Sequence, residues 1–133
     1  APKLNDTDVL TRERIREIIA YVEEHFREPV SLQDIASHIG VGKEYFCRFF
    51  KKNMGISFVN YLNETRLTHS YHDLVNTDAP VAEIMENNGF TNQKLFNRAF
   101  KELYGCTPSA ARKNSGERQY NISSYLVPPA PPV

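Results

Sequence analysis

Apolar residues recur along this chain at intervals of three and four and almost never alternate with polar ones, so the pattern predicts helices and no sheet. Ile15, Ile18, Ile19, Val22 and Phe26 form one stripe of a helix expected from about Thr11 to Arg27. It should stop at Glu28-Pro29, because a residue before proline avoids the helical region. Ser31 is placed to cap a second helix that buries Leu32, Ile35, Ala36 and Ile39, with Asp34 in its first turn and Gly40 as its left-handed end. After Val41-Gly42 a third helix is predicted from Lys43 to about Met54, closed by Gly55. Ser57 opens the longest one, reaching about Val75 and spanning roughly 28 Å at 1.5 Å per residue. Val81, Ile84 and Met85 mark a short helix ending at Asn88-Gly89, and Thr91 or Asn92 starts another that reaches Tyr104 before Gly105. A last short helix follows Thr107-Pro108, with the hydroxyl as cap and proline in the first turn. The expected class is all-α, with about seven helices.

An internal repeat organises these elements. Shifted by 49, Ile35 meets Ile84 and Gly40 meets Gly89; shifted by 50, Phe46, Arg48, Phe50, Lys51 and Gly55 meet Phe96, Arg98, Phe100, Lys101 and Gly105. Each copy is a short helix, a glycine turn and a longer helix, which is the helix-turn-helix arrangement. Two copies are too few for a solenoid. The expected organisation is a linker or N-terminal extension over 1–8, a helix-turn-helix subdomain over 9–56, a connecting helix over 57–76, a second subdomain over 77–114, and a polar, Pro-rich tail over 115–133.

Composition changes this picture little and charge changes it more. At 133 residues, 41% hydrophobic and 24% charged, the chain suits one domain or two small ones and is no fibre, pore or barrel enzyme. It has no apolar run long enough for a membrane span and no secretory leader. Its opening with Ala and the polar stretch APKLNDTD lead us to expect a segment of a longer protein or a processed end. The 16 Lys and Arg cancel the 16 Asp and Glu, which taken alone argues against a polyanionic partner. The cancellation is uneven along the chain. Lys43 to Met54 carries four basic residues against one acidic, and Thr91 to Tyr104 three against one, whereas residues 1–30 carry five against seven.

The second helix of each copy is where the chemistry lies. In the first, Phe46, Phe49 and Phe50 should turn inward and leave Glu44, Cys47, Arg48 and Lys51 outside. In the second, Phe96, Ala99, Phe100 and Leu103 should turn inward and leave Lys94, Asn97, Arg98 and Lys101 outside. One charged outer face is ordinarily a solvated face. Two in matched register, each behind a glycine turn, point to nucleic acid, because Arg pairs with guanine O6 and N7, Asn or Gln with adenine, and Glu accepts from cytosine. The helix starts at Ser57 and Thr107 offer free amides to a phosphate, though the same hydroxyls serve equally as plain caps. Lys43, Lys51, Lys52 and Lys101 complete the expected phosphate contacts. The connecting helix is long enough to hold both reading helices about 34 Å apart, one turn of B-DNA.

The stretches SLQDIASHIGVGKEYFCRFFKKNMGISFVNYLNETRL and VAEIMENNGFTNQKLFNRAFKELYGCTP resemble the two halves of the AraC/XylS-type transcription regulator DNA-binding domain, from about Val9 to Lys113. The resemblance implies two helix-turn-helix subdomains joined by a central helix, which bind double-stranded promoter DNA and usually activate transcription through RNA polymerase in a bacterial cytoplasm. It also implies a separate sensing or dimerising region in the full-length protein. The family's base-reading positions fall on Glu44, Cys47 and Arg48, and on Gln93, Lys94, Asn97 and Arg98. Met85 stands where the first copy has the small Ala36, and Ala111 where the family often has an aromatic.

Other chemistries find less support. Cys47 and Cys106 have no CxxC partner and read as two reduced thiols. His69 and His72 share a helix face but lack a third strong ligand, so no metal is expected. No nucleophile-base order and no phosphate-cradling glycine loop points to an enzyme, and no cofactor is expected. The rival reading is a helical protein-protein interaction module that keeps the helix-turn-helix shape without DNA, which the neutral overall charge favours. The tail's PxxP pattern could dock an aromatic groove, although short Pro-rich ends are more often plain tails.

Overall fold

The computed structural model describes residues 6–115, where all regular structure is helical. The elements are α1 (Asp6–His25), α2 (Leu32–His38), α3 (Lys43–Met54), α4 (Phe58–Asn76), α5 (Val81–Asn87) and α6 (Gln93–Tyr104). A seventh, α7, covers residues 108–115. The Pro-rich tail lies outside the described residues. The chain divides into two units, Ala1–Arg66 and Leu67–Val133, with the division inside α4.

The first unit closes around Ile18, Val22, Phe26, Ile35, Ala36, Phe46, Phe50, Phe58 and Leu62. With no Trp in the chain, phenylalanines fill the centre. Phe58 meets Phe46 and Phe50 edge-on, with centroids at 5.2 and 5.4 Å, the geometry that ring quadrupoles favour. Ser31 caps α2 as expected, its Oγ accepting from the Asp34 amide at 3.0 Å. One boundary differs. α1 begins at Asp6, five residues before the expected start at Thr11. Residues 6–10 are all exposed, so no buried stripe marks this first part. Asp6 and Asp8 in the first turn favour it instead through the helix dipole.

The second unit closes around Leu67, Leu74, Ile84, Met85, Phe96, Phe100 and Ala111, with Tyr71, Phe90 and Tyr104 packed against them. Tyr71 stacks on Tyr104 at 4.7 Å and Phe90 meets Phe96 edge-on at 5.0 Å. Asn88, fully buried, donates from Nδ2 to the Asp73 carboxylate at 2.9 Å and to the Ile84 carbonyl at 2.8 Å.

The turns between the paired helices repeat bond for bond. The Gly40 amide donates to the Ser37 carbonyl and the Val41 amide to Ala36; 49 residues on, Gly89 donates to Glu86 and Phe90 to Met85, all between 3.0 and 3.1 Å. This nested pair is the Schellman motif, which needs a left-handed residue at the position that Gly40 (φ 77°) and Gly89 (φ 95°) occupy. Replacing Ala36 by Met85 leaves the turn's hydrogen bonds unchanged, and the larger side chain is absorbed into the core at 4% exposure.

Candidate nucleic-acid interface

α3 and α6 are positioned by the rings they bury. In α3, Phe46 and Phe50 are inaccessible to solvent; in α6, Phe96 and Phe100 are, at the same register plus 50. A helix pinned by two residues four apart must present the opposite side outward. On α3 that side carries Glu44, Arg48, Lys51 and Lys52, with Lys43 at the start, all exposed. On α6 it carries Lys94, Asn97, Arg98 and Lys101, with Gln93 at the start, again all exposed. Neither Arg48 nor Arg98, nor any of these lysines, is held in an ion pair among the described residues. Their charge is directed at solvent.

Two side chains depart from the expected faces. Cys47 is half-buried and packs against the first core instead of standing on the outer ridge. It follows Phe46 directly and shares the margin of the buried face with Met54, where a small thiol fits. Leu103, expected inside, is 43% exposed. It lies one turn beyond Ala99, itself only half-buried, on the margin where coverage of α6 runs out.

The helix starts differ between the copies. α6 is capped by Asn92, whose side chain accepts from the Leu95 amide at 3.1 Å. α3 begins after Gly42, which offers no side-chain cap. Ser57 and Thr107 both serve as caps: their hydroxyl oxygens accept from the amides of Asn60 and Ala110 at 3.2 Å. Each hydroxyl keeps its own proton to donate.

One feature had no local signature in the sequence. Arg14 of α1 donates to the Tyr45 hydroxyl at 3.1 Å, with its guanidinium 5.9 and 6.0 Å from the Tyr45 and Phe49 ring centres. This contact ties α1 to the flank of α3 across 31 residues of sequence. Beside it an open cleft of about 480 Å³ is lined by Thr7, Thr11, Tyr45, Arg48, Phe49, Lys52 and Asn53. Among the described residues no group of three His, Cys, Asp or Glu could hold a metal ion, and no helix is long and apolar enough to cross a membrane.

The family model described as "Helix-turn-helix domain" matches residues 35–114, more than half of the chain. A solved transcriptional regulator from Chromobacterium violaceum, described by its AraC-type DNA-binding domain, superposes with a TM-score of 0.74 at 25% identity, covering 80% of this chain and 96% of that one. The chain belongs to the AraC-type helix-turn-helix family. It is thus of the DNA-binding domains of transcription regulators, which are not an enzyme family. An uncharacterized HTH-type transcriptional regulator from Staphylococcus aureus is 30% identical over 108 residues, 81% of this chain. The AraC-type chain spans only 14% of that relative's length. The DNA-binding domain of AdpA, solved with a target DNA, shares the fold with a TM-score of 0.74 at 23% identity, covering 79% of this chain and 95% of that one.

Proposed function

We propose that this AraC-type domain reads a specific double-stranded promoter sequence with two helices, α3 and α6, placed in successive major grooves. Glu44 and Arg48 read bases in one half-site with Cys47 at their edge; Gln93, Lys94, Asn97 and Arg98 read the other. Lys43, Lys51, Lys52, Lys101 and the hydroxyls of Ser57 and Thr107 hold phosphates. The observation that carries this reading is the pair of exposed cationic ridges in matched register, each fixed by two fully buried phenylalanines. The neutral total is no obstacle, because the local field at a groove depends on the charges facing it and not on their sum.

In the longer regulator the domain would act in the bacterial cytoplasm without catalysis, usually as an activator that contacts RNA polymerase. A separate sensing or dimerising region would control it. The small share of the Staphylococcus aureus relative that the chain spans supports that division of labour.

The deciding experiment is the salt dependence of binding to a selected duplex. Contact with about five phosphates gives a slope of log affinity against log salt of about −4 to −5 on B-DNA. A flat dependence, together with no enrichment from a random pool, would favour the protein-interaction reading.

A further inference from the structure

α6 carries an apolar side chain that the fold does not use. Leu95, in the first turn, is 53% exposed and takes no part in the second unit's core. Its backbone is fixed, since the Leu95 amide is the group that Asn92 caps at 3.1 Å. Its neighbours on the exposed side are Lys94 and Arg98, one and three residues away, with Glu102 two turns on along the same line and Lys101 further round. The matched residue in α3, Tyr45, is also exposed, yet it is occupied: Arg14 bonds its hydroxyl and Phe49 stacks on its ring at 6.0 Å. Leu95 has no equivalent of Arg14 or Phe49.

An exposed leucine flanked on one side by cations suits a partner that is both anionic and locally apolar. The major groove is such a partner: its rims are phosphate, and the one apolar group on its floor is the C5-methyl of thymine. The first turn of a second helix is also the part that meets base edges when such a unit docks. Leu103, the other exposed leucine of α6, sits in the last turn and lacks that placement.

We propose that Leu95 is a specificity-determining residue that packs on a thymine methyl beside the base pair read by Arg98. It lies outside the base-reading set that the family resemblance implies. The inference rests on the DNA-reading role proposed above and adds a particular base to it.

The test begins with the duplex enriched from a random pool. Each thymine is then replaced singly by deoxyuridine, which removes the methyl and keeps every hydrogen-bonding group. Affinity is measured by fluorescence anisotropy at fixed salt, for the wild-type protein and for Leu95→Ala. One thymine in the half-site of α6 should lose about four-fold in affinity for the wild type, the worth of one buried methyl group. The same replacement should leave Leu95→Ala unchanged. Thermal melting should show Leu95→Ala as stable as the wild type, because the side chain contributes nothing to the core. A flat deoxyuridine scan on an enriched duplex, or an equal loss in both proteins, overturns the role of Leu95 while the DNA-reading role stands. Failure to enrich any sequence overturns both.

Discussion

Arg66 and Arg112 close their respective units with the same clasp. Arg66 donates from Nε to the Phe26 carbonyl at 2.7 Å and from Nη2 to Glu28 at 2.9 Å; Arg112 donates from Nε to Leu74 at 3.0 Å and from Nη2 to Ala79 at 2.7 Å. In each case a guanidinium fork takes up carbonyls freed where a helix ends, α1 in one unit and α4 in the other. The positive charge also suits the negative end of the helix dipole. Burial lowers the pKa of Arg66, so the carbonyls are compensating a real loss of hydration.

Arg112→Ala should therefore destabilise the protein by about 1.5–3 kcal/mol, the range for hydrogen bonds to a charged group. Arg112→Lys should recover less than half of that, since an ammonium cannot span two carbonyls as a planar fork does. Urea unfolding of the three proteins checks both statements. A lysine variant equal to the wild type would show that charge alone suffices.

Arg98 and Lys101 should fail in different ways. Arg98→Ala is expected to cost about 1–3 kcal/mol on the preference for one base pair and much less on random DNA. Lys101→Ala should weaken cognate and random duplexes alike and reduce the salt slope by about one. Anisotropy titrations on a cognate duplex and its single-site variants separate the two, and identical profiles would remove the assigned roles.

Asn88 is a fully buried polar residue of the second unit, and its Oδ1 has no hydrogen-bond partner among the described residues. Asn88→Asp would bury a second carboxylate against the partly buried Asp73. The loss should be at least about 2 kcal/mol at neutral pH. Desolvation and like charge both raise the introduced group's pKa above its unfolded value. The penalty is thus full at neutral pH, shrinks as pH falls through the raised folded pKa, and is gone below about 4, where the group is protonated in both states. Unfolding curves at the two pH values should converge on the wild type only at the acid end.

Two glycines, two residues apart, should respond in opposite senses. Gly40 sits at φ 77° with nothing within 4 Å of an added Cβ, so Gly40→Ala meets backbone strain and no clash. It should cost about 1–2 kcal/mol. Gly42 is the uncapped N-cap of α3 at φ −75°, ψ 158°, and it too has open space around it. Gly42→Ser should gain about 0.5 kcal/mol by supplying the missing acceptor. Chemical denaturation of both variants checks the pair.

The helices and their caps were legible because each rests on local chemistry. Ser31, Ser57 and Thr107 cap where their position before an apolar stripe says they should, and the repeat at 49 and 50 corresponds to a turn conserved bond for bond within the molecule. The exposed ridge of α3 and α6 followed from helical spacing, except at its margins. Cys47 and Leu103 lie where a turn of 3.6 residues leaves the side undecided, and the covering neighbours settle the matter. What could not be read was long-range. Arg14 finds Tyr45 across 31 residues, and Arg112 finds Leu74 across 38. The two clasping arginines are 46 apart, off the register of the repeat, so alignment of the two copies does not pair them.

The separate ring clusters described for the two units have a consequence for damage. Phe46, Phe50 and Phe58 touch one another, and in the second unit Phe96 links Phe90 to Phe100. Truncating Phe96 opens a void beneath α6 and leaves every ring supporting α3 in place. A reader built this way can be blinded in one eye.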